Sequence, residues 1–340
     1  MRFAETVHIE NFAGAKMKQP LIIFKNGTIK REQNTLFFIE ENGSKHIIPI
    51  EVISEIEIFG EISFNKRVLE FLTKKKIPVH FYNYYGYYTG TYYPREHLNS
   101  GYVILKQAEH YLNYDLRLLI AKMFIYGAYR NIRQNLINYK CNEIVEIIDF
   151  KSSKIDESTT IEELMAIEGS IREAYYNSFN QILKQFSFEK REKRPPDSEI
   201  NALISFGNTL LYTKVLSEIY FTHLDPRIGY LHETNNRSFT LNLDIAEIFK
   251  PVIVDRVIFN LVNRKIIRKE HFEKEAGAYF LNEQGKRIFV QAFENRLKNT
   301  IKHRKLNRKV SFQRLIRLEC YKLVKHLIQD EIYEPFVMRW

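Results

Sequence analysis

NYYGYYTGTYYP, residues 83–94, separates two stretches of chain with different hydrophobic periods. Gly86, Gly90 and the restricted residue before Pro94 argue for a connector here rather than a helix. Upstream, the short apolar runs Leu21–Phe24, Thr35–Ile39 and His46–Ile50 are broken by Asn26-Gly27 and Asn42-Gly43, dipeptides that favour hairpin turns. Ile53, Ile56 and Ile58 continue the β-like pattern, and Pro78–Tyr82 is a further strand. Between them, Ser63–Lys76 reads as one helix, with Val68, Leu69 and Leu72 on its apolar face and lysines at the end that the helix dipole prefers. Downstream of Gly101, apolar residues recur at i, i+3 and i+4, first over Ile104–Asn138 and then almost to the end, with breaks at 152–160 and 190–197. The predicted class is α+β: a small β-rich N-terminal domain at 17–82, a Tyr/Gly-rich linker at 83–100 and a large all-α domain at 101–340. Residues 1–16, ahead of Met17, read as an extension.

A chain of 340 residues, 45% hydrophobic and 27% charged, buries enough surface for two globular domains. No apolar run is long enough to span a bilayer, and there is no signal-peptide core, so no membrane role is expected. Cys141 and Cys320 are the two cysteines, far apart in sequence, which argues against a disulfide framework and for a cytoplasmic setting. The net charge of +10 favours a polyanionic partner, since each cation placed on a phosphate releases condensed counterions. The 21 Tyr and 25 Phe offer base-stacking rings, although most of them are needed to fill the interior.

Two segments carry candidate chemistry. In Ile161–Asn177, capped by Ser158, Thr159 or Thr160 with Glu162 or Glu163 in the first turn, Glu168 borders the apolar face of Leu164, Ile167, Ile171 and Ala174. Gly169 follows it in mid-helix, which costs about 1 kcal/mol relative to Ala and points to close approach of a neighbouring helix or a ligand. Taken alone, Glu168 reads as a surface carboxylate. In the second segment, a helix from Asn201 to about Phe221 leads through the turn at Asp225-Pro226 to Leu231-His232 and a polar loop. Helix Leu241–Phe249 then presents Asp244 and Glu247 at i and i+3, on one face among apolar neighbours. A histidine with carboxylates from separate helices suits Mg²⁺ or Mn²⁺, and phosphodiester chemistry needs such an ion. No compact metal motif of the H-E-x-x-H kind is present, so spacing alone leaves the site open.

The series Glu168-Gly169, Arg194-Pro195-Pro196-Asp197, Asn201-Ala202-Leu203, Asp225-Pro226, Gly229-Tyr230-Leu231-His232 and Leu243-Asp244-Ile245-Ala246-Glu247 resembles the CRISPR-associated endonuclease/integrase family called Cas one, in order and in spacing. Phe81–Gly86, Tyr92–Glu96 and the end of the chain with Tyr333–Phe336 are similar to the branch found with type I systems, leaving residues 1–16 outside. The resemblance implies a β domain that forms a homodimer and an α-helical catalytic domain. It further implies two such dimers around a small Cas two dimer, joining double-stranded protospacer DNA to the CRISPR repeat. The implied reaction is attack of a 3′-hydroxyl on a repeat phosphodiester, with no nucleotide cofactor. Carried over, Glu168, His232 and Glu247 are the expected metal ligands and Asp244 the supporting acid; whether Asp244 or Glu247 makes the direct bond stays open.

Lys190, Arg191, Lys193 and Arg194 are read as DNA-backbone contacts, with a solvated loop as the alternative, and Lys302, Arg304, Lys305, Arg308 and Lys309 as a second basic track. Tyr230 stacks on a base or packs in the core. Two other functions fit the same residues: a general metal-dependent nuclease on branched or single-stranded DNA, and a non-catalytic basic DNA-binding scaffold.

Overall fold

The computed structural model describes residues 18–98, 100–192, 195–234, 239–303 and 305–338, in two compact units that divide between His97 and Leu98. The expected extension at 1–16 lies outside the described residues.

The first unit holds β1 (Gln19–Ile23), β2 (Gly27–Glu32), β3 (Thr35–Glu40), β4 (Lys45–Ile48), β5 (Ile53–Ile58), β6 (Ile62–Phe64), α1 (Lys66–Lys75), β7 (Val79–Tyr82) and β8 (Tyr88–Tyr92). One sheet has the order β1-β5-β7-β8 and the other β4-β3-β2-β6. β1 and β7 both run parallel to β5, with Leu21 and Val79 each registered on Ile56. A core of Leu21, Ile29, Phe38, Ile56, Val68 and Phe71 fills the space between these elements.

Two local expectations change. Asn26-Gly27 is no hairpin turn, because β1 and β2 lie in different sheets. Gly27 is there for space: a Cβ on it would stand 2.3 Å from the carbonyl oxygen of Ile39. The β2–β3 hairpin instead turns at Gln33-Asn34, with Gln33 in the left-handed region at φ 53°. Asn42-Gly43 does turn a hairpin, with Gly43 at φ +83° between β3 and β4. The second change is in the segment read as a linker. Asn83 Oδ1 accepts from the Tyr87 amide at 2.9 Å and Gly86 supplies a positive φ, so the tyrosines fold back as β8 antiparallel to β7. Alternating tyrosine and threonine is a strand pattern, and the glycines mark its turn and its thin edge.

The second unit contains α2 (Gly101–Leu112), α3 (Tyr114–Asn138), α4 (Asn142–Ser152), α5 (Lys154–Glu157), α6 (Ile161–Asn177), α7 (Phe179–Ile182), α8 (Glu199–Tyr220), α9 (Leu241–Phe249) and α10 (Val254–Asn263). They are followed by β9 (Phe272–Glu275), β10 (Ala278–Leu281), α11 (Glu283–Lys298), β11 (Thr300–His303), β12 (Arg308–Ser311) and α12 (Phe312–Leu327). The unit is mostly helical, as expected, but two antiparallel hairpins, β9–β10 and β11–β12, interrupt it. The long helical period from Ile104 breaks at Asn113, whose side chain caps α3 by accepting from the Leu116 amide.

α9 is the buried axis on which the site is built, packed by α3, α8 and α12. Gly127 of α3 lets Ile248 and Pro335 come close, since a Cβ there would sit 3.0 and 2.8 Å from their side chains. Asn131 and Asn135 of α3 donate to the carbonyls of Ile248 and Pro251, satisfying backbone acceptors at the end of α9.

Candidate active site

Asp244 sits in the first turn of α9 and is fully buried. Its Oδ2 accepts from the amides of Tyr230 (2.6 Å) and Leu231 (3.0 Å), and its Oδ1 accepts from the His232 amide (3.0 Å). The same Oδ1 holds His232 Nδ1 at 2.7 Å. One carboxylate thus gathers three successive backbone donors and orients the imidazole, a pattern that leaves Nε2 to act elsewhere. The geometry needs Gly229: a Cβ there would stand 2.9 Å from Asp244 Oδ2. Thr240 completes the loop, accepting from the Gly229 amide and donating to the Arg227 carbonyl. From the other side Gln107 of α2 brackets the turn, bonding the Asp225 amide and carbonyl and the Ile228 carbonyl.

Glu168 and Glu247 come together through Arg172. Its Nε donates to Glu168 Oε1 at 2.5 Å, and its terminal nitrogen bonds Glu247 Oε2. Lys250 bonds the other oxygen of Glu247. Burial pushes the Glu247 carboxyl up, but Arg172, Lys250 and His232 outweigh it and hold the group well below the usual carboxylate range. Burial pulls His232 down, whereas its bond to Asp244 and the negative charges of Asp244 and Glu247 bring it above its ordinary value. Glu168, His232, Asp244 and Glu247 therefore belong to one constellation spanning α6, the 225–232 turn and α9. Glu168 is no free surface carboxylate, being largely shielded and ion-paired.

The donor chemistry fits a divalent cation: an imidazole with an oriented nitrogen and two glutamates. Among the described residues, no three His, Cys, Asp or Glu side chains are gathered tightly enough to hold an ion as they stand. Both glutamates instead rest on the Arg172 guanidinium.

Arg172 and Lys250 escaped the sequence reading. Their signal was spacing: Arg172 lies four residues after Glu168 and Lys250 three after Glu247, positions that share a helix face with the acids. Gly169 is exposed, and among the described residues no atom beyond its own stretch of helix lies within 4 Å of where its Cβ would be, so no neighbouring helix accounts for it. Tyr230 is fully buried and its hydroxyl donates to the Gln107 carbonyl, so it packs in the core rather than stacking on a base.

The basic segment divides. Lys190 is exposed and paired with Glu192. Arg191 is spent on the fold, its two terminal nitrogens donating to Asn201 Oδ1 and Ser205 Oγ of α8, each at 2.9 Å. Asn201 in turn donates to the Lys190 carbonyl and to Asp197. The expected DNA contacts Lys193 and Arg194 lie outside the described residues.

Asp255, at the start of α10, lies behind this cluster. Burial raises its carboxyl from the usual 3.8 to about 6, against the opposing pull of Arg172 and Tyr175. Among the described residues its Oδ2 has no hydrogen-bond partner. A carboxyl raised on folding contributes stability that is fully present below its unfolded value and lost as pH rises through about 6. Asp255→Asn should therefore stabilise the protein above about pH 6, by at most about 3 kcal/mol, and the gain should vanish below 3.8. Thermal melts across that range check the sign.

The architecture is a β-rich unit followed by a mostly helical one in which Glu168, His232, Asp244 and Glu247 lie on neighbouring elements, and comparison with known proteins gives its family. The family model described as CRISPR associated protein Cas1 matches residues 21–295. The CRISPR-associated endonuclease Cas1 2 of Thermodesulfovibrio yellowstonii is 56% identical over 331 residues, covering 95% of this chain and all of that protein. The CRISPR-associated endonuclease Cas1 of Thermotoga maritima is 49% identical, covering 93% and 98% of the two chains. A solved Cas1 structure from Thermotoga maritima superposes with a TM-score of 0.87 at 46% identity, over 94% of this chain and 100% of that one. A casposase bound to integration product shares the fold with a TM-score of 0.83 at 21% identity, over 94% and 93%. The chain belongs to the Cas1 family of CRISPR-associated proteins.

Proposed function

We propose that this chain is a metal-dependent DNA endonuclease and integrase of CRISPR adaptation. It inserts double-stranded protospacer DNA into the repeat by attack of a 3′-hydroxyl on a repeat phosphodiester. The observation that carries this reading is the Asp244–His232 pair beside two glutamates from different helices, in a chain whose relatives are named Cas1 endonucleases.

Glu168, His232 through Nε2, and Glu247 would hold Mg²⁺ or Mn²⁺. Such an ion polarises a phosphoryl oxygen and neutralises charge on the leaving 3′ oxygen. Asp244 keeps His232 in the tautomer whose Nε2 carries a lone pair, and anchors the backbone on which the ring sits. Arg172 and Lys250 hold the Glu247 carboxylate ionised and in place. Lys190 reads as a backbone contact for DNA. The β-rich unit, whose two sheets end in β1, β8, β4 and β6, supplies the edges a homodimer covers. A small Cas2 dimer is the expected further partner, as in the Cas1–Cas2 complexes that share this fold. The setting is cytoplasmic, where the CRISPR DNA lies, and among the described residues no helix is long and apolar enough to cross a membrane.

The test is joining of a 3′-hydroxyl duplex to a supercoiled plasmid carrying the repeat, with and without Cas2. Covalent joining that chelation abolishes is expected. Nicking without joining would make the protein a general nuclease with water as nucleophile, and DNA binding with no metal-dependent product would reduce it to a scaffold.

A further inference from the structure

Residues 295–318 carry nine Lys or Arg and no Asp or Glu, in a protein whose whole net charge is +10. The structure folds the centre of this stretch into the β11–β12 hairpin, and its register makes the charge density costly. Lys302 pairs directly with Lys309, and His303 with Arg308. Directly opposed residues on an antiparallel pair have Cβ atoms about 5 Å apart, where like charges destabilise the ribbon. Alternation places Ile301 and Val310 on one face, with Val310 buried, and turns Lys302 and Lys309 to the exposed face. Lys305 at the tip and Arg308 are exposed as well.

Several other surface cations sit on carboxylates: Lys45 on Glu32, Lys106 on Glu109, Arg287 on Glu283, and Lys325 on Asp330 and Glu331. Among the described residues, Lys302, Lys305, Arg308 and Lys309 form no ion pair with a carboxylate. The environment is positive enough that burial, Lys322, Lys305 and Arg308 all pull the His303 pKa down. A ribbon that opposes lysine to lysine with no counter-charge is stabilised by an external polyanion.

We propose that the β11–β12 hairpin is a docking element for the phosphate backbone of duplex DNA, separate from the catalytic constellation. The inference rests on the reading of this chain as a DNA-acting enzyme and assigns part of that grip to residues outside the site. Composition favours duplex over single strands. No Phe, Tyr or Trp occurs between Phe293 and Phe312, so the ribbon has no ring on which an unpaired base would stack. Its exposed lysines, Lys302, Lys305 and Lys309, suit contact with the backbone, because lysine serves phosphates as a point charge. The hairpin leads directly into α12, which packs on α8 and α9, so DNA held here is tied to the helix that bears Asp244 and Glu247.

The experiment compares the full-length protein with Lys302→Gln/Arg308→Gln/Lys309→Gln and with Lys302→Arg/Lys309→Arg. Binding to a labelled blunt DNA duplex is measured as a function of salt with metal chelated, so that this contact and the integration chemistry read out independently. The glutamine variant should bind roughly tenfold or more weakly, with a salt slope shallower by about 2 to 3, while the arginine variant binds as wild type. The free glutamine variant should melt at an equal or higher temperature, because the cross-strand repulsion is gone. Unchanged affinity and slope in the glutamine variant would overturn the proposal. So would a melting temperature that falls with the affinity, equal loss in the arginine variant, or tighter binding of the single strand than of the duplex.

Discussion

His232→Ala and Glu168→Ala should each abolish DNA cleavage and strand joining while leaving DNA affinity nearly unchanged. The loss should exceed the roughly hundredfold that removing an outer partner of a metal site costs, because each residue is expected to bond the ion itself. Binding survives because it is distributed over many phosphate contacts, whereas the chemistry depends on one centre. The two variants should differ in stability. His232 is partly open to solvent, and its loss leaves Asp244 with three backbone donors. Glu168→Ala removes one of the two carboxylates on Arg172, but Glu247 keeps that guanidinium paired. Neither variant should unfold, so activity, metal binding by calorimetry and a melting curve can be read on the same samples. A variant with wild-type activity at limiting metal removes that residue from the site.

Much of the fold was legible because it is written in hydrophobic period. The strands expected at 21–24, 35–39, 46–50, 53–58 and 78–82 appear near their places, as do α6, α8 and α9, whereas β2 and β6 are additional. Where sequence and structure differ the cause is shared: turn signals are local, and tertiary proximity decides between their outcomes. Gly27 serves a close approach to Ile39 from a strand in the same sheet, information no dipeptide carries. The tyrosines after Asn83 looked like a connector because their glycines outweighed an alternation only β7 makes meaningful. The two late hairpins were hidden for the opposite reason. Four-residue strands such as Thr300–His303 are shorter than any window that separates period 2 from period 3.6.

The candidate site was legible in its acids and histidine through family resemblance, and much less through spacing. Asp244 and Glu247 were recognised as neighbours on one helix face, yet three residues of helix do not say which one turns inward to backbone and which toward Glu168. That depends on the 225–232 turn, set by Gln107 more than a hundred residues away. Arg191 shows the reverse error. A basic run reads as a DNA track, but one of its members reaches α8 and holds the loop that carries it.

The division of labour between Asp244 and Glu247 is open to direct test. Replacing Asp244 by Asn keeps the shape and removes one acceptor oxygen. If the amide nitrogen takes the place of Oδ2, it confronts the amides of Tyr230 and Leu231 with a donor. If it takes the place of Oδ1, the His232 amide loses its acceptor and the ring must turn to the tautomer that protonates Nε2. The first outcome costs about 1–3 kcal/mol for buried donors left unpaired. The second lowers metal affinity by about 10–100-fold, as expected for an outer partner. Glu247→Gln acts differently. It removes a charge from the expected ligand set and leaves Lys250 buried without its carboxylate, a break that costs about 3–5 kcal/mol when a buried pair loses one partner. Glu247→Gln should thus suffer the larger loss of Mn²⁺ affinity by calorimetry, and Asp244→Asn the larger loss of rate relative to affinity. If Asp244→Asn lost more metal affinity than Glu247→Gln, Asp244 would be the direct ligand and Glu247 the support. If both changes shifted stability by only a few tenths of a kcal/mol, the burial that places them in the site would be wrong.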